Sequence, residues 1–181
     1  MTEVIFSRDT HAILIPDGDR VPVAEGVRGW LMQELGGHFT VQLTNGRLVR
    51  LNRADGDAIG REAEDEAEVV PDNPDAVVEE SQIWGAMAQC YDPEIPQDIV
   101  ALGLVYAVSM EAHEGAGTDV QVVMTLTAPG CGMGQVLVDD VRSAVRVIPG
   151  VRNVEVELTF EPPWSQDRMS EEAKLSLGYF F

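Results

Sequence analysis

The chain has 181 residues, room for one ordinary domain or two small ones, and 45% of them are hydrophobic, enough to fill a core. A net charge of −19, with Lys174 the single lysine and neither Lys nor Arg between Arg61 and Arg142, repels phosphate backbones and argues against nucleic-acid binding. No apolar run approaches the ~20 residues of a membrane span and residues 1–8 hold no signal-type apolar stretch, so a soluble cytoplasmic protein, off the membrane, is expected.

Residues 1–60 read as a small β-rich N-terminal domain. His11-Ala-Ile-Leu-Ile15 is a short strand stopped by Pro16-Asp17-Gly18, and Phe39, Val41 and Leu43 alternate with polar residues. Asn45-Gly46 signals a two-residue type I′ hairpin with a return strand over residues 47–51. Trp30-Leu-Met-Gln-Glu-Leu35, ahead of Gly36-Gly37, fits a strand or a short helix. Residues 61–80 carry nine acidic side chains, one Arg and two prolines, which predicts an acidic linker.

The pattern changes in the C-terminal domain, residues 81–181. Ser81 is the expected N-cap of a helix bearing Ile83, Trp84, Met87, Cys90 and Tyr91, ended by Asp92-Pro93. Strands follow over residues 104–110 and 119–127, with Thr125 and Thr127 on one face of the second. A helix over residues 133–147 has Leu137, Val141, Ala144, Val145 and Ile148 along one side, and Pro149-Gly150 ends it. The last strand alternates Val154, Val156, Leu158 and Phe160. The fold class is α+β: an α-β-β-α-β two-layer domain behind a β-rich one.

Cys131 lies where a strand pattern breaks into Ala128-Pro-Gly-Cys-Gly-Met-Gly134 and then a helix. Free N–H groups and the positive helix end favour thiolate there, and Gly130 and Gly132 leave the sulfur uncovered. Packing in a tight turn is the plainer reading, and it suits Cys90 better. Two cysteines with His11, His38 and His113 show no ligand spacing. A metal at Cys131 must therefore be shared with a second chain or held in passing. Asp92 and Glu94 could act as an acid/base pair, as oxygen ligands or as caps, and crowding or burial would raise a carboxyl pKa.

Tyr91-Asp-Pro-Glu-Ile-Pro96, Leu102-Gly-Leu-Val-Tyr106, Met124-Thr-Leu-Thr127, Pro129-Gly-Cys131 and Pro162-Pro-Trp164 occur in this order, with Asp167-Arg-Met-Ser-Glu-Glu-Ala173 behind them. Together they resemble the small iron–sulfur-maturation domain family represented by bacterial SufT, the phenylacetate-pathway protein PaaD and the eukaryotic cytosolic iron–sulfur targeting factor. The resemblance covers about residues 81–175, and the β unit before it is similar to the N-terminal extension of SufT. Many relatives carry Cys-Pro where this chain has Cys131-Gly132. The resemblance implies that Asp92, Thr125, Thr127 and Cys131 share one site, with Glu94, Gly130 and Gly132 supporting it.

The function it implies is a non-enzymatic accessory factor in iron–sulfur cluster assembly or transfer. Cys131 would hold iron or a cluster transiently, with no tightly bound cofactor. Carrier or client proteins would be the partners, and a homodimer is one arrangement that could share the metal. Two alternatives stand beside it: a cysteine-dependent enzyme with Cys131 as nucleophile and Asp92 or Glu94 as base, and a pure interaction scaffold. Trp164 could be a packing lid or a partner anchor, and Gly103 a backbone bend into the strand.

Overall fold

The computed structural model describes residues 2–63, 73 and 75–179, and the chain divides into two compact units, Met1–Glu68 and Val69–Phe181. Half of the expected acidic linker, residues 64–72 and 74, falls outside the described residues. No helix among the described residues is long and apolar enough to cross a membrane.

The first unit is a six-stranded antiparallel sheet of β1 (Thr2–Ile5), β2 (Thr10–Ile15), β3 (Arg20–Val23), β4 (Arg28–Leu35), β5 (His38–Leu43) and β6 (Leu48–Asn52). Their order is β1-β4-β5-β6-β2-β3. Alternation along β5 and β6 sends Val41, Val49 and Leu51 into a core shared with Phe6 and Phe39. The ambiguous segment before Gly36 is strand β4. Gly36 and Gly37, at φ 59° and 77°, make a two-residue turn that sets Leu35 opposite His38, which is type I′ geometry.

Asn45-Gly46 does not form the expected type I′ turn. That turn needs positive φ at both central residues, and among the described residues only glycines have it. Instead Gly46 N–H donates to Leu43 C=O at 2.9 Å and Leu43 N–H to Arg47 C=O at 2.8 Å, a three-residue loop with Gly46 in the left-handed position. The Asn45 side chain accepts from Arg47 N–H at 3.0 Å.

The second unit contains α1 (Glu80–Met87), β7 (Val105–His113), β8 (Gly117–Met124), α2 (Gly134–Arg146), β9 (Val151–Leu158) and a short α3 (Glu171–Ser176). The three strands lie in the order β7-β8-β9, with β7 and β8 antiparallel and β8 and β9 parallel. The apolar stripe of α2 buries Leu137, Val141 and Val145 in a core with Ile83, Met87, Leu104, Val122 and Met124. The α-β-β-α-β order stands, with α3 added after it.

Details of this unit depart from the sequence pattern. The N-cap of α1 is Glu79, not Ser81. Gln82 completes a capping box, its side chain accepting from Glu79 N–H at 2.9 Å, and the N-cap therefore falls two residues earlier than expected. The helix also ends at Met87, so Cys90 is not within it. Cys90 is buried on the turn behind the helix, where its C=O accepts from Ile99 N–H at 2.9 Å. Strand β8 stops at Met124, which leaves Thr125 and Thr127 on the segment beyond it and not on a shared strand face. Phe160 lies past the end of β9 and is exposed.

Candidate functional site

Cys131 sits on the segment joining β8 to α2. This segment folds back tightly onto the helix, since a Cβ on Gly134 would stand only 2.7 Å from Leu126 Cδ1. Cys131 N–H donates to Ala128 C=O at 3.4 Å, and its own C=O accepts from Gly134 N–H at 3.1 Å. Cys131 is partly exposed, and the Met133 N–H is near enough to favour its charged form. Gly130 and Gly132 on either side are exposed.

Asp92 and Glu94 come from the loop over residues 90–104. Tyr91 and Asp98 bridge its mouth, and Asp92 N–H donates to Gln97 C=O at 3.0 Å. Buried Asp92 uses one carboxylate oxygen, Oδ1, to accept Glu94 N–H at 2.8 Å and Ile95 N–H at 2.9 Å. Asp98 repeats the device on Val100 and Ala101 at 3.0 and 2.8 Å. The capping role proposed for Asp92 is therefore real, and the charge of the same carboxylate also reaches the thiol.

Burial raises the Asp92 carboxyl above its ordinary range, against the pull of the two N–H groups. Burial and then the charge of Asp92 raise Glu94. Cys131 is raised as well: burial acts first, Glu94 and Asp92 add to it, and the Met133 N–H opposes them. The expectation that the turn holds a thiolate is thus overturned. The single Met133 N–H is outweighed by desolvation and the charges of two carboxylates.

Thr125 is completely buried with its Oγ1 unpartnered, and Thr127 is half-buried. The chain thus brings Cys131, Asp92 and Glu94 into electrostatic reach of one another. Thr125 and Thr127 lie six and four positions before the thiol, Thr125 with a buried hydroxyl still able to take a bond. His113 ends β7 at a distance in sequence from these groups and pairs with Asp119 at 3.2 Å. Trp164 is a lid: half-buried against the core, it donates Nε1–H to Leu102 C=O at 2.8 Å. Iodoacetamide at neutral pH is expected to modify Cys131 well before buried Cys90, at a rate that keeps climbing above pH 8 because the thiol is protonated at rest. Peptide mapping of the folded protein reads this; equal labelling of both cysteines would contradict it.

The second unit is thus a two-layer α+β domain with one partly exposed thiol in electrostatic reach of two carboxylates. Residues 80–158 match the family model described as iron–sulfur cluster assembly protein. The chain is 46% identical over 100 residues to the Fe-S protein maturation auxiliary factor of Porphyromonas gingivalis, covering 55% of this chain and 91% of that protein. It is 46% identical over 87 residues to the Fe-S protein maturation auxiliary factor SufT of Staphylococcus aureus, covering 48% of this chain and 94% of the relative. A crystal structure of a DUF59 domain from Bacillus anthracis superposes with a TM-score of 0.51 at 36% identity, over 56% of this chain and 92% of that one. The chain belongs to the iron–sulfur cluster assembly protein family.

Proposed function

We propose that the chain is a non-enzymatic accessory factor of the cytoplasm, assisting iron–sulfur cluster assembly or the transfer of clusters to client proteins. The observation that carries this reading is the partly exposed Cys131 thiol within electrostatic reach of Asp92 and Glu94, in a domain whose relatives are maturation factors. Iron or a cluster is cargo here. The charge of a ferric or ferrous centre arriving at the thiol would outweigh the effect of the two carboxylates: the Cys131 proton passes to solvent as an iron–sulfur bond forms. When the cargo departs, the carboxylates again favour the protonated thiol, which works against rebinding. The site is therefore suited to brief holding.

One thiolate per chain cannot complete a cluster, which usually takes four. The remaining ligands come from a carrier, a client or a second copy of the chain. Oxygen ligands from Asp92 or Glu94 supplement the thiolate only weakly, which again favours release. A nucleophilic enzyme is less well supported, because a protonated thiol with no histidine among the matched motifs lacks the usual activation.

Mixing the protein anaerobically with iron, sulfide and an apo-ferredoxin tests this reading. The wild type is expected to speed the appearance of holo-ferredoxin by at least several-fold, and Cys131→Ser to return the rate to that without protein. A Cys131→Ser variant as effective as the wild type would overturn it.

A further inference from the structure

The loop that carries Asp92 and Glu94 does not stand alone. Residues 164–176, beyond the end of the matched family segment, run along it and grip it at four points. Trp164 Nε1–H donates to Leu102 C=O at 2.8 Å, and Ser170 N–H donates to Ala101 C=O at 2.8 Å. The Arg168 backbone passes so close to Gly103 that a Cβ there would stand 2.2 Å from the Arg168 carbonyl oxygen. Gln97 Nε2–H donates to Ser176 Oγ at 2.6 Å. Between these points Met169 and Ala173 are sunk in the same core as Ile99 and Leu102, which anchors the strap itself.

Gln97 joins the two halves of this arrangement. Its side chain is bonded to the strap, while its main-chain carbonyl accepts the N–H of Asp92. Ser176, in turn, is fixed on α3 by donating to Ala173 C=O at 2.9 Å. A chain of hydrogen bonds thus runs from α3 through Gln97 to the backbone of Asp92, whose carboxylate orders Glu94 and Ile95. We infer that the strap over residues 164–176 is a positioning element that sets where Asp92 and Glu94 stand relative to Cys131, with Gln97 and Ser176 as its positioning residues. This inference rests on the reading of Cys131, Asp92 and Glu94 as the working site. It assigns a purpose to the C-terminal segment: displacing the strap loosens the carboxylates without touching the thiol.

The test follows the pH dependence of Cys131 alkylation in the full-length protein, read by peptide mapping, for the wild type, Gln97→Ala, Ser176→Ala, Ser176→Thr and Asp92→Asn/Glu94→Gln. Ser176 is exposed and Gln97 half-exposed, so these changes spare the core. Removing the two carboxylates is expected to move the alkylation midpoint to lower pH. Gln97→Ala and Ser176→Ala are expected to move it the same way, by about half a unit, hence about threefold faster labelling at neutral pH. Ser176→Thr, which keeps the hydroxyl, should restore the wild-type profile. Adding Gln97→Ala to Asp92→Asn/Glu94→Gln should produce no further shift. If Gln97→Ala and Ser176→Ala leave the profile unmoved while Asp92→Asn/Glu94→Gln shifts it, the strap has no positioning role and the site reading survives. If Asp92→Asn/Glu94→Gln leaves the profile unmoved, the site reading and the strap proposal fall together.

Discussion

Gly103→Ala is expected to destabilise the second unit by about 3–5 kcal/mol, a substantial part of the stability of an ordinary domain. Two effects add. The residue sits at φ 69°, where any side chain other than glycine costs about 1 kcal/mol. The added Cβ would also stand 2.2 Å from the Arg168 carbonyl oxygen and 2.7 Å from its carbonyl carbon, so backbone must move against backbone. The strap would give way there and take the Ser170–Ala101 and Trp164–Leu102 hydrogen bonds with it. Gly130→Ala is the control: its φ is 82°, but nothing lies within 4 Å of the new Cβ, so only the conformational cost of about 1 kcal/mol applies. Urea denaturation followed at Trp84 and Trp164 in a Trp30→Phe background measures both. Equal losses for the two glycines would show that the close passage of the strap carries no energy.

Asp92→Asn is expected to stabilise the protein at neutral pH and to impair cluster transfer. The carboxyl is held above its ordinary range in the folded state, so the stability it contributes is present below its unfolded pKa and lost as pH rises through the folded value. At neutral pH the fold therefore carries a buried carboxylate at a cost. Asparagine keeps the Oδ1 that accepts from Glu94 and Ile95 N–H but carries no charge. The gain in melting temperature should be greatest at pH 7 and above, and should shrink as pH falls toward the carboxylate range. Relief of Glu94 and Cys131 from the Asp92 charge adds to the gain at neutral and alkaline pH. Thermal melts at pH 7.5 and 5 check the sign. A variant less stable than the wild type at pH 7.5, or a gain that does not depend on pH, would mean that Asp92 is there for structure alone. Stability surrendered at a charged site is the usual signature of a group kept for its chemistry.

What could be read from the sequence was local. The three- and four-residue spacing of Leu137, Val141 and Val145 placed α2, and the alternation of Phe39, Val41 and Leu43 placed β5, because each pattern repeats within a few residues of itself. Turn type was not legible in the same way. Asn45-Gly46 suits both a two-residue hairpin and a three-residue loop, and the choice depends on whether Asn45 takes positive φ, which the register of β5 and β6 decides. The N-cap of α1 was misplaced because a capping box on Glu79 needs Gln82, and Ser81 between them offers the more familiar signal.

At the site, the residues were legible but their electrostatics were not. Cys131, Asp92 and Glu94 could be named from their motifs. The direction of the thiol pKa, however, depends on two carboxylates brought to it from a loop some forty residues earlier, which no local pattern encodes. The bond between Gln97 and Ser176 spans 79 positions and had no signal in either neighbourhood. Gly103 could be read as a bend, but the backbone of Arg168 lying against it could not.

The central claim is that Cys131 is the thiol that holds the cargo, and that one chain cannot hold a cluster by itself. Anaerobic iron–sulfur reconstitution of the purified protein, followed by gel filtration with absorbance near 400 nm (a wavelength of about 400 nm reports sulfur-to-iron charge transfer), measures both parts together. The account predicts cluster absorbance only in a dimer or in a complex with a second protein, readily lost to an apo-acceptor, and none in Cys131→Ser. A monomer that carries its cluster through the column, or a Cys131→Ser variant that still does so in any state, would contradict it.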